Sequence, residues 1–152
     1  MRAMCTSRFS LPASVQVYEA TPWGLEVVPV IASLGRWAAR SPLHDPTLQM
    51  SHVSLLMSLQ TLISPERAAG LDARICFRFG ETAYVATVHD GRLEVDRGDC
   101  ANCDVTFTGS SSEVAAVIHG GAPFELIRVD GNLELAKRFR TLFPLPAKVE
   151  TS

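Results

Sequence analysis

The sequence predicts an α+β fold: a five-stranded, mainly antiparallel sheet covered by helices, preceded by a short strand and a long helix. Three observations carry this. Apolar residues recur at helical spacing from Trp23 to Ile63. From Ala73 the period drops to two and holds through several strand-like runs. After Gly109 the helical period returns twice, each time behind a capping residue. The chain has 152 residues, 47% of them hydrophobic and 20% charged, which fits one domain, or one domain with a substantial appendage.

Val15-Gln16-Val17-Tyr18-Glu19 alternates and is rich in strand formers, so it reads as a short strand. Thr21-Pro22 is a helix start, with Thr21 as cap and proline at the first helical position. Trp23, Val27, Val30, Leu34 and Trp37 then recur at spacings of 4, 3, 4 and 3, the seam by which helices pair. These five residues predict a homodimer interface, which makes this the dimerisation helix. Pro29 should kink it, since proline lacks an amide hydrogen. Gly35 weakens it by about 1 kcal/mol relative to alanine. Ser41-Pro42 closes the segment.

Asp45-Pro46 repeats the start signal, and Leu48, His52, Leu55, Leu56, Leu59, Leu62 and Ile63 share one face of the helix it predicts. Met50, Val53 and Met57 form a second apolar stripe, which fits either burial on both sides or the wall of a ligand cavity. Ser64-Pro65 ends this helix or opens a further turn, stopped by Gly70.

Ile75, Phe77 and Phe79 alternate with Arg74, Cys76 and Arg78; Tyr84, Ala86 and Val88 alternate next. Asp90-Gly91 is a hairpin signal, followed by Leu93 and Val95. Asp104 to Thr108 completes four consecutive strands, expected to form an antiparallel meander with one wet face. Ser110 and Glu113 spell a capping box for a short helix closed by Gly120-Gly121. Leu126 to Val129 supplies an edge strand. Asn132 caps a last helix carrying Leu135, Ala136, Phe139, Leu142 and Phe143, stopped by Pro144 and Pro146.

Composition excludes several function classes. A net charge of -2 argues against a generally basic nucleic-acid or membrane-surface binder. No apolar run approaches the ~18 residues of a membrane span, and residues 1–20 lack a signal-peptide pattern. Four cysteines without an export signal predict reduced thiols and a cytoplasmic location. Cys100-Ala101-Asn102-Cys103 invites a thiol or metal reading, but a structural zinc site needs four ligands and the other candidates are the isolated Cys76, His89 and His119. His44, His52, His89 and His119 are scattered, without hydrolytic zinc spacing. No catalytic constellation, metal site or cofactor motif emerges.

Two resemblances follow from particular motifs. Leu71 to Pro146 resembles a sterol carrier protein-like (SCP2-type) domain. The carriers of this likeness are Asp104-Val105-Thr106-Phe107-Thr108-Gly109, the helix closed by Gly120-Gly121, and the Val129-Asp130-Gly131-Asn132 entry to the final helix. The resemblance implies helices over a five-stranded sheet enclosing an apolar tunnel, and lipid, sterol or acyl-chain binding without catalysis. Val17-Tyr18-Glu19-Ala20-Thr21-Pro22-Trp23-Gly24, Val28-Pro29-Val30 and Leu34-Gly35-Arg36-Trp37 resemble the end of an HxlR-type winged-helix transcriptional regulator. In that family the wing strand runs into a helix that pairs two subunits, and one branch carries a sterol carrier-like domain after it, including the ending seen here at Arg140 to Pro146. Two departures from the pattern stand out: the expected helix-turn-helix does not precede the wing here, and the segment from Pro123 to Leu126 is shorter than the family's connection.

The resulting division is a winged-helix remnant at 1–42, a ligand-binding domain at 43–148 and a tail at 149–152. The expected function is a non-enzymatic homodimer that holds a small apolar ligand between sheet and helices, as the effector-sensing half of a transcriptional regulator. Cavity candidates are Met50, Val53, Met57, Phe77, Tyr84, Phe107, Leu135 and Phe139. By itself this chain should bind neither DNA nor membrane. The alternatives are a ligand-free regulatory partner that dimerises with a DNA-binding relative, and a thiol or metal site at Cys100 and Cys103.

Overall fold

The computed structural model describes residues 21–45 and 48–150. The predicted strand at Val15 to Glu19 lies outside them, as does Pro46 of the second start signal. Thr21 caps α1 (Pro22–Leu25), its hydroxyl accepting the Gly24 amide at 3.0 Å. The expected single kinked helix is instead two: α2 (Val28–Ala39) starts afresh, with Pro29 in its first turn. Proline inside a continuous helix would press its ring on the carbonyl four residues back, whereas a first turn needs no amide there. The chain therefore breaks at Glu26 and Val27 rather than bending.

The next helix also starts later than expected. α3 spans His52–Leu62, and its cap is Ser51, whose hydroxyl accepts the Ser54 amide at 3.1 Å. Asp45-Pro46 does not open it, and Leu48 and Met50 lie ahead of the helix rather than on its face. Ser64 caps α4 (Pro65–Ala68), so Ser64-Pro65 opens a further turn, and Gly70 leaves it at a φ of 66°.

Five strands follow: β1 (Ala73–Phe79), β2 (Thr82–His89), β3 (Arg92–Arg97), β4 (Val105–Thr108) and β5 (Arg128–Gly131). Their order in the sheet is β3-β2-β1-β4-β5. Only the first three form a meander. β4 crosses to the far side of β1 and runs parallel to it, with Phe77 opposite Phe107. The expected four-strand meander is corrected here: β2 and β3 together form the crossover that a parallel pair requires. Asp104 locks the join, its amide bonding the Arg74 carbonyl and its carboxylate accepting the Arg74 amide, both at 2.8 Å. β5 is the antiparallel edge beyond β4, entered from a 3-10 turn at Phe124–Leu126.

Between β4 and β5 lies α5 (Ser111–Ile118), with both halves of the Ser110–Glu113 capping box formed. α6 (Leu133–Arg140) is capped by Asn132. Leu142 and Phe143 lie beyond α6 yet are buried. The core is the sheet's inner face covered by α3, α5 and α6. At its centre Phe77, Phe107 and Phe139 are each wholly buried, with ring centroids 5.6–6.0 Å apart. α2 packs on α3 and buries only Ala39 of its own residues.

Candidate functional site

α3 is apolar on more than one side, and its sides do different work. Leu55, Leu56 and Leu59 are buried in the core. Ser54, Ser58 and Thr61, at spacings of 4 and 3, lie on the face turned towards α2. Between that face and α2 is a cavity of about 220 Å3. α2 contributes Ile31, Gly35 and Ala39; α3 adds Met57 and Leu62. Gly35 makes room, because a Cβ there would meet only the Thr61 methyl, at 3.9 Å. Met50 closes one side, its carbonyl accepting the Ser111 hydroxyl at 2.6 Å. Leu145, in the segment after α6, closes another. That segment is tied down where Lys148 Nζ donates to the carbonyls of Ala39, Ser41 and His44 at 3.2, 2.9 and 2.9 Å.

The polar end is made by α5. His119 caps that helix and its ring reaches the cavity beside Ser58, with Nε2 3.1 Å from the Ser58 oxygen. The Ser58 hydroxyl donates its one proton to the Leu55 carbonyl at 2.7 Å. The Ser58 oxygen therefore accepts from His119, and Nε2 carries the ring proton. Nδ1 is then a bare acceptor, buried and without a hydrogen-bond partner among the described residues. Burial, and secondarily repulsion from His44, push the His119 pKa down to about 4, so the ring is neutral at pH 7.

This cavity is not the one expected between sheet and helices. Met50 and Met57 line it. Phe77, Phe107 and Phe139 instead pack against one another at zero exposure. Tyr84 and Leu135 are half-buried against the same core, and Val53 is exposed. Ser54, Ser58 and Thr61 escaped the sequence reading, which named Gly35, His44 and His119 without placing them at a cavity. The available signal was the polar stripe on an otherwise apolar α3. His44 and His119, 75 positions apart, become neighbours only through the fold. His52 stacks on Phe79 at 4.4 Å, and His89 pairs with Asp72 on the surface.

The five seam residues face outward. Trp23, Leu34 and Trp37 are 82%, 61% and 70% exposed, and Val27 and Val30 are exposed as well. On the other face of the sheet, Cys76 of β1 is in a disulfide with Cys100 of the loop after β3, their Cα atoms 5.2 Å apart. This corrects the expectation of reduced thiols at Cys76 and Cys100, and it takes Cys100 out of the alternative thiol or metal site with Cys103. Among the described residues Cys103 is the free thiol, its pKa raised chiefly by burial. No group of three or more metal-ligating side chains occurs among the described residues, and no helix there is long and apolar enough to cross a membrane.

No protein-family model matches the chain, and no curated protein matches it. Among solved structures it is similar to the stereoselective inverting sec-alkylsulfatase Pisa1 from Pseudomonas sp., at 16% identity and a TM-score of 0.56. That match covers 62% of this chain and 16% of the sulfatase, so this chain spans about a sixth of that protein's length and the likeness concerns the fold alone. Two smaller proteins are also similar. One is palmitated SCP2L2 from Aedes aegypti, at 17% identity and a TM-score of 0.45, covering 60% of this chain and 93% of that one. The other is the ubiquinone synthesis protein UbiJ-SCP2, at 17% and 0.39, covering 80% and 92%.

Proposed function

We propose that this chain is a non-enzymatic binding module, which holds a small apolar molecule in the α2–α3 cavity and pairs with a second copy through α1 and α2. The cavity carries the reading. At about 220 Å3 it exceeds the ~150 Å3 of an apolar cavity that takes up benzene, and its walls are mostly carbon. α2 is both a cavity wall and the bearer of the exposed Val30–Leu34–Trp37 face, so ligand and partner act on the same helix. The resemblance to HxlR-type regulators gives that pairing a context, effector sensing in transcription.

The test is mass spectrometry of an organic extract of the purified protein, with thermal shifts on adding medium-chain amphiphiles. Neither a co-purified apolar molecule nor any shift would remove the cavity reading. Light scattering checks pairing: the wild type should have twice the mass of Leu34→Glu, and a wild-type monomer at high micromolar concentration would refute it.

A second reading rests on the apolar face by itself: a regulatory partner that dimerises without any ligand. It predicts an empty extract together with the Leu34→Glu effect on mass.

A further inference from the structure

The cavity between α2 and α3 has a chemical bias beyond being apolar. Among the described residues, its lining holds no aspartate, glutamate, lysine or arginine; the two histidines are its only titratable side chains. Lys148 is the cation tied into its surroundings, and its three protons already go to the carbonyls of Ala39, Ser41 and His44. An anionic headgroup placed there would give up part of its water and find no counter-charge, which disfavours it or forces its protonation. A neutral hydroxyl meets the opposite situation. The polar residues of the lining, Ser54, Ser58 and Thr61 beside the neutral His119 ring, can exchange hydrogen bonds with an uncharged hydroxyl without any charge being buried.

Resting on the binding reading above, we infer that the cavity takes uncharged, hydroxyl-bearing amphiphiles of medium chain length and rejects the corresponding carboxylates. The hydroxyl sits at the Ser58–His119 end, and the chain runs along Gly35, Ile31 and Met57. Since His119 stays neutral at pH 7, it supplies no compensating charge for an acid.

Calorimetric titration of the full chain at pH 7.5 with 1-octanol and with octanoate tests this, since the pair shares chain length and differs in headgroup charge. Octanol should bind at least tenfold more tightly. Gly35→Leu and Ser54→Leu, which fill the cavity from α2 and from α3, should each weaken octanol at least tenfold while circular dichroism confirms the fold. Octanoate binding as tightly as octanol overturns the headgroup inference and leaves the cavity reading standing. If neither compound binds, the cavity reading itself falls. Octanol binding unaffected by both variants would place the ligand elsewhere and overturn the assignment.

Discussion

Ser58 and His119 lie 61 positions apart, yet their side chains meet at 3.1 Å and close the polar end of the α2–α3 cavity. Each arrives there for a local reason. Ser58 lies one turn after Ser54 on the side of α3 away from the buried leucines, and turns its proton back to the Leu55 carbonyl. His119 is placed by the end of α5, a helix whose start is fixed by the Ser110–Glu113 box and whose exit is turned by Gly121 at a φ of 71°. The two helices fix the backbone positions, and the hydrogen bonds to Leu55 and between the two side chains hold the pair together.

His119 makes stability depend on pH. Its folded pKa, about 4, lies below the unfolded value of 6.5. Between those values the unfolded chain holds a proton that the folded chain does not, so stability rises with pH across that window. The contribution is complete above about pH 6.5 and lost as pH falls towards 4, a difference of up to roughly 3 kcal/mol. Urea unfolding at pH 7 and pH 4.5 should show this loss in the wild type and a smaller one in His119→Phe. An unchanged difference would assign the acid sensitivity to other groups.

The Cys76–Cys100 disulfide closes a loop of sequence separation 24 around β2 and β3. Constraining the unfolded chain over such a length is worth about 3 kcal/mol. Reduction, or Cys100→Ser, should therefore lower the melting temperature by several degrees, whereas Cys103→Ser should leave it within about a degree. Equal melting temperatures for oxidised and reduced protein would show that the bond contributes nothing.

Phe139 should be among the most costly core positions. Its ring touches Phe77, Phe107 and Phe143, at 6.0, 6.0 and 4.9 Å between centroids, and no surface is exposed. Phe139→Ala removes the α6 anchor and should cost ~3–5 kcal/mol in denaturant unfolding, as is typical of such cavities. A loss below about 1 kcal/mol would mean that α6 is not part of the cooperative core.

What the sequence disclosed was mostly local. Thr21, Ser110 and Asn132 announce their helices because a cap is a contact between residues three apart. Asp90-Gly91 announces its hairpin because both residues adopt positive φ there, 48° and 73°. Long-range choices left weaker marks. The side of β1 on which β4 lands depends on Asp104 meeting Arg74, 30 positions away. The disulfide likewise depends on that landing, which carries the Cys100 loop across Cys76. The α2–α3 cavity hides for a related reason: its best indicator is a missing side chain, Gly35, whose value depends on a helix not yet placed beside it.

Two glycines make opposite predictions from that same logic. Gly35 sits inside α2 with ordinary helical dihedrals, and an added Cβ meets nothing closer than the Thr61 methyl at 3.9 Å. Gly35→Ala should raise stability by about 0.5–1 kcal/mol, since alanine restricts the unfolded chain and favours helix. Gly131, where β5 hands over to α6, has a φ of 102°, and a Cβ there would collide with the Asp104 carbonyl. That carbonyl also accepts the Asn132 amide at 3.0 Å, so it has no freedom to retreat without loosening the α6 cap. Gly131→Ala should therefore destabilise by at least ~1–3 kcal/mol, through backbone strain and displacement of the β4–β5 edge together. Equilibrium unfolding of the two variants side by side checks both signs, and a Gly131→Ala protein as stable as wild type would contradict the close packing of β5 on Asp104.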